Sequence, residues 1–367
     1  MKYLFVARGP GETAQARALA KYISKKGGEI LFALHQEKNL HFLSKDKEFK
    51  IFLTKEPKDL ERIIDKDRPE ILLFFNSKMW GKYFEFCETP LFQKVPLSLG
   101  VDSNWLFNNE KYPSYKFIEW LDRYLVLFPE KIFKLGLKEN GGNFSLEKET
   151  LKRIIPVDFV PAYQKPPKKK IQEIRERYKI KKGEKFIFSY FSGFGAGHKI
   201  FAFNNLILAV ERLIKKGRKI KVLYIGPTEN LNPKKLKKDW LLKKEVLPAE
   251  EYFLTLSSAD LIFQHQGLAT LTQAIAAQVP VICNVSILGE KASLKKIHFW
   301  EVLPFKRVGA CEMFSKSTEI SKITNEIEKL LFNKKEKEKM KENQKLIFES
   351  GEKRAFEIIK NLLKTKI

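Results

Sequence analysis

Residues Ala259–Ile282, ADLIFQHQGLATLTQAIAAQVPVI, hold the reading of the whole chain. Asp260–Gln264 is a short apolar run of the kind a strand covered on both faces requires, Ala269–Gln278 has the composition of a buried helix, and Pro280–Asn284 is a second apolar run. Between the first strand and the helix lies the polar turn His265-Gln266-Gly267. Strand, turn, helix and strand in this order make one unit of a parallel sheet, and the turn at the carboxyl end of such a strand faces the ligand crevice. The helix that follows offers unbonded N–H groups and a positive dipole end to a phosphate. In that setting Gly267 lets a ligand approach the backbone, His265 can donate to a diphosphate oxygen, Thr270 can add a hydroxyl, and Gln273 can reach ribose hydroxyls.

The same alternation extends outward. Upstream, Lys185–Tyr190 and Lys219–Ile225 read as strands, and Phe201–Lys216 and Ala249–Ser258 as helices. The first of these strands leads into Phe188–His198, FSYFSGFGAGH, where Gly193, Gly195, Gly197 and His198 form a second candidate phosphate loop, although such a run alone suits a flexible turn equally well. In the N-terminal half, strands are expected at Tyr3–Ala7, Glu29–Leu34, Lys50–Leu53, Glu70–Phe75, Pro96–Leu99 and Tyr124–Phe128, with helices at Thr13–Lys26 and Lys58–Lys66. Tyr163–Lys170, rich in proline and lysine, reads as a linker. The division that follows is an N-terminal Rossmann-like domain over 1–162, a linker and approach helix over 163–183, a second Rossmann-like domain over 184–340, and a helical tail over 341–367 that packs back on the first domain.

Length agrees, because 367 residues exceed one ordinary α/β core and suit two. A hydrophobic fraction of 44% with 30 Phe excludes a disordered chain despite 31% charged residues. No apolar run is long enough to span a bilayer or to serve as a signal-peptide core, so a cytoplasmic protein is expected. Cys87, Cys283 and Cys311 are few and scattered, which suggests core residues rather than a disulfide framework or a zinc site. The net charge of +25 attracts anionic partners, whether nucleotide-sugar diphosphates, lipid headgroups or nucleic acid, but the lysines are dispersed and announce no specific nucleic-acid face.

On these residues the chain resembles family 1 and family 28 glycosyltransferases, whose donor site carries H-x-G-x-x-T-x-x-E-A followed by G-x-P. His265, Gly267, Thr270 and Ala274 fall on the pattern; Gln273 stands for the ribose-binding glutamate and Gln278 for the glycine. The resemblance implies the GT-B architecture, α/β with two Rossmann-like domains facing across a cleft. It also implies metal-independent transfer of a sugar, with no cofactor, from a nucleotide-diphosphate donor such as a UDP-sugar to a hydroxyl of a glycan or lipid-linked acceptor. At the N-terminus, Arg8–Ala20 resembles the acceptor loop of the peptidoglycan N-acetylglucosaminyl transferase, with Gly9 and Gly11 as its glycines and Glu12 where a histidine would lie. Glu12 is then the candidate base for an inverting displacement, or a residue that complements its helix N-terminus. Leu97–Phe107 resembles the polar loop after the fifth strand, which makes Asp102 a second base candidate and Trp105 an acceptor contact. Trp80, Tyr112 and Tyr115 suit either a sugar platform or the core. A lipid-linked acceptor would bring the lysine-rich surface to the inner face of an anionic membrane.

Two other classes fit parts of the sequence. Gly9-x-Gly11-x-x-Ala14 after a strand also satisfies the dinucleotide fingerprint of a nicotinamide-dependent oxidoreductase. Gln273 in place of glutamate is compatible with a non-catalytic basic scaffold of the same fold that binds glycan or nucleic acid.

Overall fold

Runs such as Ile71–Phe75, buried at every residue, can be shielded only by helices on both faces of a sheet, and two such layered sheets make up this protein. The computed structural model describes residues 1–75, 91–102, 115–139, 148–161, 166–191, 197–228, 231, 237–265, 268–285, 292–315 and 317–366. Among them, the first sheet contains β1 (Lys2–Ala7), β2 (Glu29–Leu34), β3 (Lys50–Leu53), β4 (Ile71–Phe75), β5 (Leu97–Asp102), β6 (Arg123–Val126) and β7 (Ile154–Pro156), in the order β3-β2-β1-β4-β5-β6-β7. Its helices are α1 (Pro10–Ser24), α2 (Pro57–Asp67), α3 (Tyr115–Trp120), α4 (Glu130–Glu139) and α5 (Lys148–Lys152). Local chemistry fixes their starts. Pro10 takes the first position of α1, and α2 opens on Pro57 inside a reciprocal capping box of Glu56 and Asp59.

After α6 (Lys168–Arg177) comes the second sheet, with β8 (Lys185–Tyr190), β9 (Ile220–Ile225), β10 (Leu241–Lys244), β11 (Leu261–His265), β12 (Val281–Asn284) and β13 (Glu312–Phe314), in the order β10-β9-β8-β11-β12-β13. Around it stand α7 (Gly197–Lys215), α8 (Ala249–Ser258), α9 (Leu268–Ala277), α10 (Ala292–Arg307), α11 (Ile320–Phe332) and α12 (Lys334–Ile347). Strand pairing is parallel in both sheets, and each order reverses once, at β1/β4 and at β8/β11. Ligands of doubly wound sheets bind outside the carboxyl ends of the strands at such reversals.

The last helix, α13 (Glu352–Lys366), crosses back to the first sheet. Its Ala355, Phe356, Ile359 and Leu363 join Tyr3, Leu19 and Ile23 in one apolar core. Main-chain bonds pin the crossing: Phe159 N–H donates to Glu349 O at 3.2 Å and Gly351 N–H to Phe159 O at 2.6 Å. Any side chain at Gly351 would collide with the Val157 carbonyl. The halves also meet where α10 packs along α4, and Phe305 of α10 packs against Phe128 and Phe159.

Several sequence expectations are corrected. The strand expected at Pro96–Leu99 continues through Gly100 to Asp102, so Asp102 ends β5 rather than lying in the following loop. The expected linker gives up Lys168–Lys170 to α6, because Pro167 serves as the cap from which that helix starts. A boundary at 340/341 would cut α12, which packs on α9 and α11 of the second sheet; the chain changes sides after Ile347. The short strands β7, β10 and β13 lie outside the expected set, and helix α10 runs through Pro304.

Candidate functional site

The carboxyl ends of the two sheets face each other. A methyl group at Gly11, in the first turn of α1, would lie 3.4 Å from the Cβ of Ala269 in the first turn of α9. Lys45 Nζ of the first half contacts Glu250 Oε2 of α8 at 2.7 Å, and that hydrogen bond holds the Glu250 carboxyl below its ordinary range. Two helix N-termini therefore converge on one crevice, one following β1 and the other following β11, and each carries partial positive charge.

On the second sheet, β11 delivers His265 as its last residue, one strand from Asn284 of β12 in register. His265 Nδ1 lies 3.4 Å from the Tyr190 carbonyl oxygen, and its ring stands edge-on to Phe191 with centroids 5.7 Å apart. Backbone from β8 and an aromatic neighbour thus orient the half-buried imidazole at the sheet edge. Gln266 and Gly267 lie outside the described residues, and α9 begins directly after them at Leu268.

Thr270 sits in the first turn of α9, where its Oγ1 accepts a hydrogen bond from Tyr252 at 2.9 Å. The Tyr252 ring packs 4.6 Å from Tyr190. Thr270 is therefore tied to α8 through an acceptor bond, and its own hydroxyl proton is the group it can offer. Gln273 of α9 is buried, and its Oε1 is unbonded. Gln278, at the glycine position of the resembling families, adopts the left-handed conformation with φ 55°, which explains why glycine serves there. Gly193 and Gly195 lie outside the described residues; Gly197 opens α7 and His198 follows in its first turn, at the carboxyl end of β8.

Asn284 was not singled out by sequence. It is fully buried, and neither atom of its carboxamide is bonded. The available signal was a polar residue closing the apolar run Val281-Ile282-Cys283.

On the first sheet, Gly9 is the N-cap of α1, and its carbonyl accepts from Thr13 Oγ1 at 2.8 Å. The Glu12 carboxylate folds back against Gly9, so closely that a side chain there would collide with it. This posture suits a residue that complements its own helix N-terminus. Asn39 Nδ2 donates to the Arg8 carbonyl at 2.7 Å and holds the loop before α1. Asp102 is 8% exposed at the carboxyl end of β5 and accepts from the Tyr124 hydroxyl at 3.2 Å. Trp105, with Trp80 and Tyr112, lies outside the described residues. The structure thus groups His265, Thr270, Gly11 and Glu12 around the crevice, while Asp102 stands on the same sheet edge with β4 between its strand and β1.

Residues 195–355 match the glycosyltransferase family 28 C-terminal domain. Among curated proteins, none matches the sequence. Solved structures do share the fold. The S. aureus MnaA–UDP co-structure is similar with a TM-score of 0.70 at 16% identity, covering 99% of this chain and 97% of that one. UDP-GlcNAc 2-epimerase from Neisseria meningitidis bound to UDP-GlcNAc is similar with a TM-score of 0.61 at 12% identity, covering 99% and 100%. Acinetobacter baumannii MurG is similar with a TM-score of 0.59 at 12% identity, covering 98% and 99%. The chain has the GT-B fold of two Rossmann-like units, and residues 195–355 of its second half are similar to the glycosyltransferase family 28 C-terminal domain.

Proposed function

We propose that the protein transfers a sugar from a UDP-sugar to a hydroxyl of a glycan or lipid-linked acceptor, without a metal and with inversion. The observation that carries this reading is the turn after β11, inside the family 28 match and beside the β8/β11 reversal, where the α9 N-terminus that follows His265 and carries Thr270 meets the α1 N-terminus across the crevice. Charge develops on the leaving diphosphate, and fixed helix dipoles with an imidazole and a hydroxyl donor stabilise it there. The acceptor hydroxyl gives its proton to a carboxylate as its oxygen bonds the anomeric carbon. The bond from that carbon to the diphosphate breaks, and the electron pair leaves with UDP. We assign the base to Asp102, since Glu12 is folded onto its own helix start. UDP is the first nucleotide to test because two similar structures hold UDP or UDP-GlcNAc.

Calorimetry with UDP-, GDP-, dTDP- and CMP-sugars, with NAD as the control for the dinucleotide fingerprint, tests the assignment. UDP-sugars should bind, and His265→Ala should weaken them by ~1.5–3 kcal/mol, the range for a hydrogen bond to a charged group. Unchanged affinity in a folded His265→Ala variant would remove the donor site from β11. A second reading, epimerisation of a UDP-sugar, is favoured by the likeness to the Neisseria epimerase. Product analysis separates them, because transfer releases UDP whereas epimerisation returns an intact sugar nucleotide.

A further inference from the structure

Gly100 lies inside β5, a position where glycine ordinarily weakens a strand. The neighbouring strand fills the space it leaves. Gly100 pairs in register with Tyr124 of β6, and Asp102 with Val126. A Cβ at Gly100 would collide with the Tyr124 ring and lie 2.9 Å from Leu121 Cδ1. The fully buried ring therefore lies across Gly100 and reaches the carboxyl edge of the sheet, where its hydroxyl donates to Asp102 Oδ2 at 3.2 Å. The Asp102 main chain is fixed at the same level, its carbonyl accepting from Leu127 N–H at 2.9 Å.

Burial strips water from a carboxylate and favours its neutral form, whereas a general base must be ionised and aimed. A phenolic O–H bonded to one carboxylate oxygen counters both problems, because donation stabilises the anion and fixes the rotation of the group. Phenylalanine would pack the space above Gly100 as well as tyrosine does. The hydroxyl is what packing leaves unexplained.

We propose that Tyr124, lodged over Gly100, is a positioning residue that holds the Asp102 carboxylate as the base for the acceptor hydroxyl, an inference that rests on the transferase reading. The test is a double-mutant cycle on the full chain, following UDP released from UDP-N-acetylglucosamine and UDP-glucose with water or an added sugar as acceptor. Tyr124→Phe should lower kcat by ~10-fold or more, the scale of one bond to a charged group, and leave the Kd for UDP unchanged. Asp102→Asn should lower kcat by ~10²–10⁴-fold. The double variant should be no slower than Asp102→Asn alone, because the hydroxyl acts only through the carboxylate. Gly100→Ala, which displaces the ring, should reproduce the kcat loss of Tyr124→Phe. Losses that multiply in the double variant would reduce Tyr124 to packing, and an unchanged kcat in Tyr124→Phe would overturn the proposal outright. Wild-type turnover in Asp102→Asn would overturn it by removing the base. Failure of the wild type to release UDP from either donor would instead refute the transferase reading, and the role of Tyr124 with it.

Discussion

Replacing Phe305 with alanine removes the ring by which the second half of the chain grips the first. Phe305 is fully buried, edge-on to Phe128 with centroids 5.6 Å apart and 6.2 Å from Phe159, which itself stacks on Phe348 at 6.0 Å. An aromatic side chain buries ~150–250 Å², which at ~25 cal/mol per Å² gives an upper bound of ~4–6 kcal/mol. Alanine keeps one methyl group and the unfolded chain already hides part of the ring, so a loss of ~3–4 kcal/mol is expected, inside the range measured for such truncations. Phe128 and Phe159 belong to the first half and Phe305 to the second, so the damage should fall on the junction. Urea unfolding followed by circular dichroism should show the midpoint falling by ~1 M or more. Scanning calorimetry should resolve two transitions where coupling had kept them together. A loss under ~1 kcal/mol, or a single transition displaced without broadening, would show that the halves are held elsewhere.

Asp260 anchors α6 and α12 through Arg175 at 3.2 Å and Lys337 at 3.1 Å. Burial alone would raise its pKa, but the Lys337 ammonium, the Phe186 N–H and the Arg175 guanidinium together hold it below the ordinary value. A lowered folded-state pKa stabilises above the unfolded value near ~3.9 and loses that stabilisation as pH falls through the folded value. Asp260→Asn should therefore cost ~2–4 kcal/mol at pH 7 in urea unfolding and progressively less below about pH 4, and an equal cost at both pH values would refute the linkage. Asn284→Leu replaces an unbonded buried carboxamide with an apolar side chain of similar volume and should raise the melting temperature of the ligand-free protein, an unmade bond costing ~1–3 kcal/mol; a lower melting temperature would mean that the amide is satisfied. Gln278→Gly relieves a left-handed residue after α9 and should gain ~0.5–1 kcal/mol in the same assay, with no gain expected only if the amide side chain holds the turn.

Much of the fold was legible because buried parallel strands announce themselves. Ile71–Phe75 and Leu261–Phe263 are apolar without alternation, and a segment shielded on both faces has no other composition open to it. Edge strands lack that constraint. β10 reads Leu-Leu-Lys-Lys with its last two residues exposed, and only its pairing with β9 makes it a strand. Tertiary packing also overrides local preference: β5 runs on through Gly100 to Asp102 because a ring from β6 fills the gap, and Pro304 lies within α10.

The candidate site divides along the same line. The placement of His265 and Thr270 was legible because it is local: a strand end, a turn and a helix start within a few residues set an imidazole and a hydroxyl beside a helix N-terminus whatever the rest of the chain does. Their orientation was not, because it depends on register. The Tyr190 carbonyl reaches His265 from β8, and the Tyr252 hydroxyl reaches Thr270 from α8. Asp102 shows the limit most clearly. Its sequence neighbours cast it as a loop carboxylate open to an acceptor, whereas β5 carries it into the sheet edge, and its hydrogen-bond donor there is a tyrosine 22 residues away whose ring lies over Gly100. A residue type at a strand end can be read from a sequence; the partner that orients it depends on which strand lies beside it and in which register.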